Sequence, residues 1–403
     1  MHSMILSSFP KIISDWWWNE ATRNWPDFSK EKLLNTIRGE IVEQSDRFNK
    51  TRSFNSSSYG ARDLSVLSYG NFFFARTWYA MTFALAEAFS YRNLGIPRKG
   101  PLRILDLGAG TGASGLASLS NLRKWGVENP ISLEAWDYSG KSLATLKSLH
   151  QAGMELWPGT KITTVRKDLA NDLPPMNSRL FDLVLLGFSL NEILQKEEEG
   201  SRIEWLRQVS QYLKPSGFLV ITEPAGELTC MNLQSDSQKL TEENPKLHQH
   251  SPYFNGSPCP FLSQSSKYYS HEVRKVVPNE VIEKINGPLH LEIREVKFGL
   301  SILGRTAPLP QPKGYELCRI VSPVKKRKGT ISFIGIGSDG IEYRYEFQRR
   351  DLNRDETKEI LAFERGDILD TAKGIIGKDE THIRLSSSQD LKPVFAPRLG
   401  KTS

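Results

Sequence analysis

The sequence predicts an α/β protein with a Rossmann-like, largely parallel sheet, a helical N-terminal extension and a small C-terminal β unit. Three observations predict it. Between Leu102 and Pro224 short apolar runs alternate with helical segments, the pattern of parallel strands covered on both faces. Residues before about 95 carry apolar positions at helical spacing. Residues after about 324 alternate with period two around Ser338-Asp339-Gly340, a hairpin signature. The expected organisation is a helical region over 1–95, a sheet domain over 96–323 containing an insertion or lid over 226–288, and a β-rich unit with tail over 324–403.

The N-terminal elements follow from spacing. In SKEKLLNTIRGEIVEQSDRF, Leu33, Ile37, Ile41 and Val42 recur at helical intervals behind Ser29, a suitable cap. NFFFARTWYAMTFALAEAFSYRN is a second helix, and its aromatics read as core rather than as ligand contacts. The sheet alternation then runs from LRILDLG through ISLEAWDYS, KITTVRKDL and FDLVLLGFSLNEIL to FLVITEP. Residues 226–288 are polar and irregular, which suggests a lid. LHLEIREVKFGLSIL and GYELCRIVSP are expected to close the sheet as an antiparallel edge pair. The tail beyond Ser386 is expected to fray.

Bulk properties narrow the class. The chain has 403 residues, 38% hydrophobic and 25% charged, with a formal net charge of +7. That balance suits a globular protein with more than one core and is compatible with nucleic-acid contact. The three cysteines, Cys230, Cys259 and Cys318, are scattered and odd in number, so no disulfide framework is implied and a reducing cytoplasm is expected. No run of 18 apolar residues is present, so no membrane span is expected. His248 and His250 lack further ligands at suitable spacing, and no metal is expected.

The sharpest motif is ILDLGAGTGASGLA, residues 104–117. A buried strand ends at Asp106-Leu107, turns through Gly108, Gly110, Thr111 and Gly112, and enters a helix. Glycines serve where a backbone must turn tightly and approach a ligand. A helix N-terminus offers free N–H groups to a carboxylate. Gly110 to Gly115 also matches the dinucleotide fingerprint G-x-G-x-x-G. Asp106 before the glycines, Asp137-Tyr138 after the second strand and Asp168-Leu169 after the third favour a methyl donor, S-adenosylmethionine, over NAD. In that reading Asp137 accepts the ribose hydroxyls and Asp168 faces the adenine amino group. Gly187, ending the fourth strand, completes the expected site.

Catalysis is less sharply marked. After Gly187 the chain reads Phe188-Ser189-Leu190-Asn191-Glu192, without the Asn/Asp-Pro-Pro-aromatic tetrad of adenine amino-methylating enzymes. Pro258-Cys259-Pro260 lies too far past the fifth strand for a pyrimidine nucleophile and reads as a turn. Asn191, Glu192 and Glu223 are the candidates for orienting an acceptor, though Asn191 and Glu192 also suit a helix cap. Transfer to an already nucleophilic acceptor needs no general base. Lys325, Lys326, Arg327 and Lys328, with Arg349 and Arg350, are candidate RNA contacts. Phe333, Tyr343, Tyr345 and Phe347 are candidate stacking surfaces beside them.

Taken in order, ILDLGAGTGASGLA, Glu223-Pro224, GSPCPF (256–261), VKFGLSIL (296–303), PVKKRKGTI (323–331), FFFARTWYAM and FERGD resemble the Rsm-type methyltransferase-like proteins of small ribosomal subunit assembly, over about residues 60–370. The resemblance implies a class I methyltransferase fold and association with small-subunit ribosomal RNA or proteins. It also implies an iron–sulfur cluster on four cysteines. Here Cys259 matches one of them, while the others fall near Pro252 or Tyr253, Tyr268 and Ile336. One thiolate cannot hold such a cluster, so none is expected, and packing and hydrogen bonds are expected to hold this region. Three readings stay open: a methyltransferase acting on ribosomal RNA, a non-catalytic RNA-binding assembly factor that retains the fold, and a small-molecule methyltransferase.

Overall fold

The computed structural model describes residues 4–46, 62–173, 179–195, 197–254, 256–263, 268–290, 293–311, 313–371, 374–377 and 379–400. Three helices come first: α1 (Lys11–Asn24), α2 (Lys30–Asp46) and α3 (Asp63–Ala86), the last continued by a π-helical turn over Glu87–Tyr91. Ser29 does begin α2, its hydroxyl accepting from the Lys32 amide at 3.2 Å. Leu33, Ile37 and Ile41 are buried, but Val42 is exposed, one step off the buried stripe. Residues 47 and 48 of the expected helix lie outside the described residues. α3 is apolar nearly all round, as a helix enclosed on most sides must be, and most of its 24 residues are buried.

The main sheet is built from β1 (Leu102–Leu107), β2 (Ile131–Asp137), β3 (Thr160–Arg166), β4 (Phe181–Gly187), β5 (Leu213–Pro224), β6 (His248–Ser251), β7 (Glu272–Lys275) and β8 (Glu295–Gly304). Its order is β3-β2-β1-β4-β5-β8-β6, with β7 also paired to β8. Strands β1 to β5 are parallel, and β8 runs antiparallel between β5 and the β6/β7 edge. The order reverses at β1, whose neighbours are β2 and β4. Ligands of open α/β sheets bind at the carboxyl ends of the strands at such a switch point. Helices α4 (Ala113–Lys124), α5 (Gly140–Ala152), α6 (Leu190–Ile193), α7 (Glu199–Ser210) and α8 (Glu227–Glu243) follow β1, β2, β4 and β5.

Two expectations are corrected here. The stretch after Pro224 is no irregular lid. α8 packs on β5 and β8, β6 and β7 extend the sheet, and α9 (Glu280–Asn286) follows. Hydropathy misses α8 because its buried face is largely polar and internally matched. Gln234 donates to the Leu300 carbonyl at 2.9 Å, Ser237 meets Ser301 at 2.9 Å, and Asp236 accepts two bonds from Arg202. The second correction concerns Leu317–Ile320. This strand does not pair with β8; it is β9, in a separate sheet.

That second sheet contains β9 (Leu317–Ile320), β10 (Thr330–Gly337), β11 (Glu342–Gln348), β12 (Ile368–Thr371), β13 (His382–Leu385) and β14 (Leu391–Phe395), with α10 (Arg354–Leu361) beside it. β10 and β11 form the expected hairpin, turning at Gly340 with φ +81°. Through Gly400 the tail is not frayed, and residues 401–403 lie outside the described residues. β14 pairs with β12, and Arg398–Leu399 pairs in parallel with Ile5–Leu6.

The two sheets meet across buried ions. Glu87 accepts from Arg319 and Arg92, Arg319 also reaches Glu272, Arg274 bridges Glu272 and Asp367, and Arg398 pairs with Asp367. Nearby, the positions aligned with the absent cysteines converge. Tyr253, Cys259, Phe261 and Ile336 form one buried cluster, and Tyr268 lies edge-on to Phe261 at 6.5 Å. The Tyr253 hydroxyl donates to Ser270 at 2.9 Å, so packing and hydrogen bonding hold this region. Cys259 precedes a 3-10 turn, as the Pro-Cys-Pro reading expected.

Candidate active site

A cavity of about 360 Å³ opens at the carboxyl ends of β1, β2, β4 and β5. The loop from Gly108 to Thr111 forms its floor. Gly108, Gly110 and Gly112 have φ of +69°, +52° and +90°, a region other residues adopt only under strain. Asp137 anchors this loop: its Oδ2 accepts from the Gly110 amide and its Oδ1 from the Ser139 amide, each at 2.8 Å. Each oxygen keeps a further lone pair for a ligand hydroxyl. Burial raises the Asp137 pKa, against those two amides.

Of the expected cofactor residues, Gly108, Gly110, Thr111, Asp137, Tyr138, Asp168, Leu169 and Gly187 line the cavity. Asp106 and Gly112 do not. Asp106 is buried behind the loop, where its Oδ2 accepts from the Gly115 amide at 2.8 Å and holds the first turn of α4. Its Oδ1 has no partner. Burial pushes its pKa up to about 7, with Asp137 adding to the rise and the Gly115 bond opposing it. Gly112 instead packs against α5, for a Cβ there would meet Leu146 Cδ1 at 2.1 Å. Asp168 is exposed at the cavity mouth, its Oδ2 accepting from Asn171 at 3.0 Å. Leu169 is fixed through its carbonyl, which accepts from the Trp205 indole at 2.8 Å.

The three catalytic candidates share the opposite wall. Glu223 ends β5 and caps α6, its Oε1 accepting from the Leu190 amide at 2.9 Å and the Asn191 amide at 3.4 Å. Its buried Oε2 has no partner. Burial pushes the Glu223 pKa up to about 8, against the two amide bonds. Burial, then Glu223, then Asp137 hold the Glu192 pKa well above the carboxylate range. Asn191 lines the same wall.

The sequence reading missed the roof. Val66, Tyr69, Phe73, Arg76 and Thr77 of α3 line the cavity, so this helix is not purely core. The signal was a stripe at intervals of three and four, carrying Arg76 and Thr77 in a mostly apolar helix. Phe188, with φ +59°, and Ser189, whose hydroxyl donates to the Leu107 carbonyl at 2.8 Å, were also missed.

Elsewhere, Lys325 to Lys328 are exposed along one edge of the second sheet, without ion pairs among the described residues. The Arg349 amide donates to the Gly329 carbonyl at 2.8 Å, which brings Arg349 and Arg350 to the same edge. The stacking expectation fails. Phe333, Tyr345 and Phe347 are buried in the sheet's core, and Tyr343 packs against it. Their odd-numbered positions share the inward face with Ile331. Among the described residues no group of three or more His, Cys, Asp or Glu could hold a metal ion. None of the described helices is long and apolar enough to cross a membrane.

The strand order, the antiparallel β8 inside the edge and the glycine loop after β1 make this a class I methyltransferase fold, with a Rossmann-like sheet. No protein-family model matches the sequence, and no curated protein matches it. Solved structures to which the chain shows some similarity include a class I S-adenosylmethionine-dependent methyltransferase from Listeria monocytogenes. It is 16% identical, with 75% of this chain and 90% of that chain covered and a TM-score of 0.38. The CMeT domain of the citrinin polyketide synthase is 13% identical, with 76% and 82% covered and a TM-score of 0.37. A methyltransferase from Methanococcus maripaludis is 17% identical, with 52% and 73% covered and a TM-score of 0.26. These three structures lend nothing to the small-subunit resemblance.

Proposed function

We propose that the chain binds S-adenosylmethionine in this cavity and transfers its methyl group to an acceptor. The observation that carries the reading is the convergence of the positive-φ glycine loop, Asp137 and Gly187 on one cavity at the sheet's switch point. The donor set fits. Gly110 leaves open space above it, and Asp137 keeps lone pairs for ribose hydroxyls. When bound, S-adenosylmethionine supplies an electrophilic methyl group on a sulfonium centre. The chain orients the acceptor between α3 and the Asn191–Glu192 wall. Glu223 carries its proton on Oε2 at neutral pH, since Oε1 is committed to two amides. It exchanges that proton near pH 8, in the range useful to a general base. Calorimetric titration with S-adenosylmethionine tests the reading beside a Gly110→Val control, whose side chain would fill the cavity floor. A flat trace for the unaltered protein defeats it.

The acceptor we infer is RNA of the small ribosomal subunit, approached by the second sheet. The six clustered cations support this, together with the family resemblance. Phosphate contacts of this kind give salt-dependent binding. Methyl incorporation into that RNA distinguishes an enzyme from an assembly factor. Small-molecule acceptors alone would leave the RNA reading without support.

A further inference from the structure

Arg76 stands on α3 between Phe73 and Thr77 and lines the cavity. It is half-buried, yet it has no ion pair or hydrogen bond among the described residues, and its Nε is buried without a partner. Glu192 and Glu223 line the same cavity but do not pair with it. Glu295, which borders a small apolar pocket on its other side, is engaged by Lys297 at 3.6 Å. The Arg76 guanidinium lies 6.0 Å from the centre of the Phe73 ring. A guanidinium partly withdrawn from water without a counter-charge is costly, and burial lowers its pKa with nothing opposing. Such a group is stabilised when a ligand supplies the anion.

The sequence expectation placed the donor's carboxylate at the N-terminus of α4. That position is already partly taken. Asp106 Oδ2 takes the Gly115 amide, and Asp137 Oδ2 takes the Gly110 amide. A second carboxylate there would face two acids, whereas Arg76 offers a planar pair of donors matched to a carboxylate.

We infer that Arg76 is the carboxylate receptor of this cavity, holding the methionine carboxylate of the donor. The inference rests on the methyl-donor reading. The test is calorimetric titration of the unaltered protein, Arg76→Lys and Arg76→Met with S-adenosylhomocysteine and with 5′-methylthioadenosine, which lacks the amino-acid end. Arg76→Met should weaken S-adenosylhomocysteine on the order of tenfold or more and leave methylthioadenosine unchanged, with Arg76→Lys between. Unchanged methylthioadenosine binding also shows that the variant is folded. If S-adenosylhomocysteine binding is unchanged in Arg76→Met, the inference is overturned while the donor reading stands. If the unaltered protein takes neither nucleoside, the donor reading itself fails and the inference falls with it.

Discussion

Glu87, in the π-helical turn that ends α3, and Arg319, on β9 of the second sheet, form a two-bonded ion pair with both N–O distances 2.9 Å. Both side chains are 1% exposed. Burial alone would raise the Glu87 pKa, but Arg319 and Arg92 outweigh it and hold the carboxyl at about 2.

Arg319→Met should therefore destabilise the protein by about 3–5 kcal/mol, because Glu87 and Glu272 are left buried without their partner. The pH dependence follows in sign. Glu87 has a lowered folded pKa, so its contribution is present above about 4.5 and is lost as pH falls toward about 2. Urea unfolding at pH 7 and pH 3 checks this. The gap between the unaltered protein and the variant should narrow at pH 3.

Glu223 has the opposite sign. Its folded pKa is raised to about 8, so stability is lost as pH rises from about 4.5 to 8. Glu223→Gln keeps the shape and cannot ionise. Its melting temperature should gain on the unaltered protein through that window and level off above it. Parallel melts at pH 5, 6.5, 8 and 9 measure this, and a constant offset would refute the assignment.

Gly187 faces Ser114 so closely that a Cβ there would meet the Ser114 Oγ at 1.7 Å. Gly187→Ala should displace the N-terminal turn of α4 and weaken S-adenosylhomocysteine binding on the order of tenfold. Ser114→Gly added to the same chain should recover much of the loss. Calorimetry on the single and double variants decides this.

Phe395 is 4% exposed and stacks on Tyr91 with ring centres 5.9 Å apart. Phe395→Ala should cost about 3–5 kcal/mol in denaturant unfolding. A frayed tail would tolerate the change without loss.

Replacing Lys325, Lys326, Arg327 and Lys328 by glutamate should weaken RNA binding and flatten its dependence on salt. Each phosphate contact removed lowers the slope by about 0.9 for duplex and about 0.7 for single strands. Filter binding across a salt series, with S-adenosylhomocysteine affinity as the folding control, measures both.

Much of the main sheet was legible because buried parallel strands are continuous apolar runs, and because Gly108, Gly110 and Gly112 mark a turn that few sequences need. The Ser338-Asp339-Gly340 hairpin was legible for the same kind of reason. α8 was hidden because its inward face carries Gln234, Asp236 and Ser237, whose hydrogen bonds replace hydropathy. β9 was misassigned because four apolar residues fit either sheet. Its place depends on Arg319 finding Glu87, 232 positions away. Tyr69, Phe73 and Arg76 were hidden by their own helix, since an apolar stripe against a cavity has the same spacing as one against a core.

α3 carries the cavity's roof near one end and the Glu87 joint at the other. From Arg76 to Glu87 is eleven residues, roughly 16 Å of helix at 1.5 Å per residue. A rod of that length, gripped along most of its surface, transmits tilt rather than absorbing it. Any ligand that tugs on the roof pulls against the clamp on β9, so the cavity and the second sheet share one stiff strut.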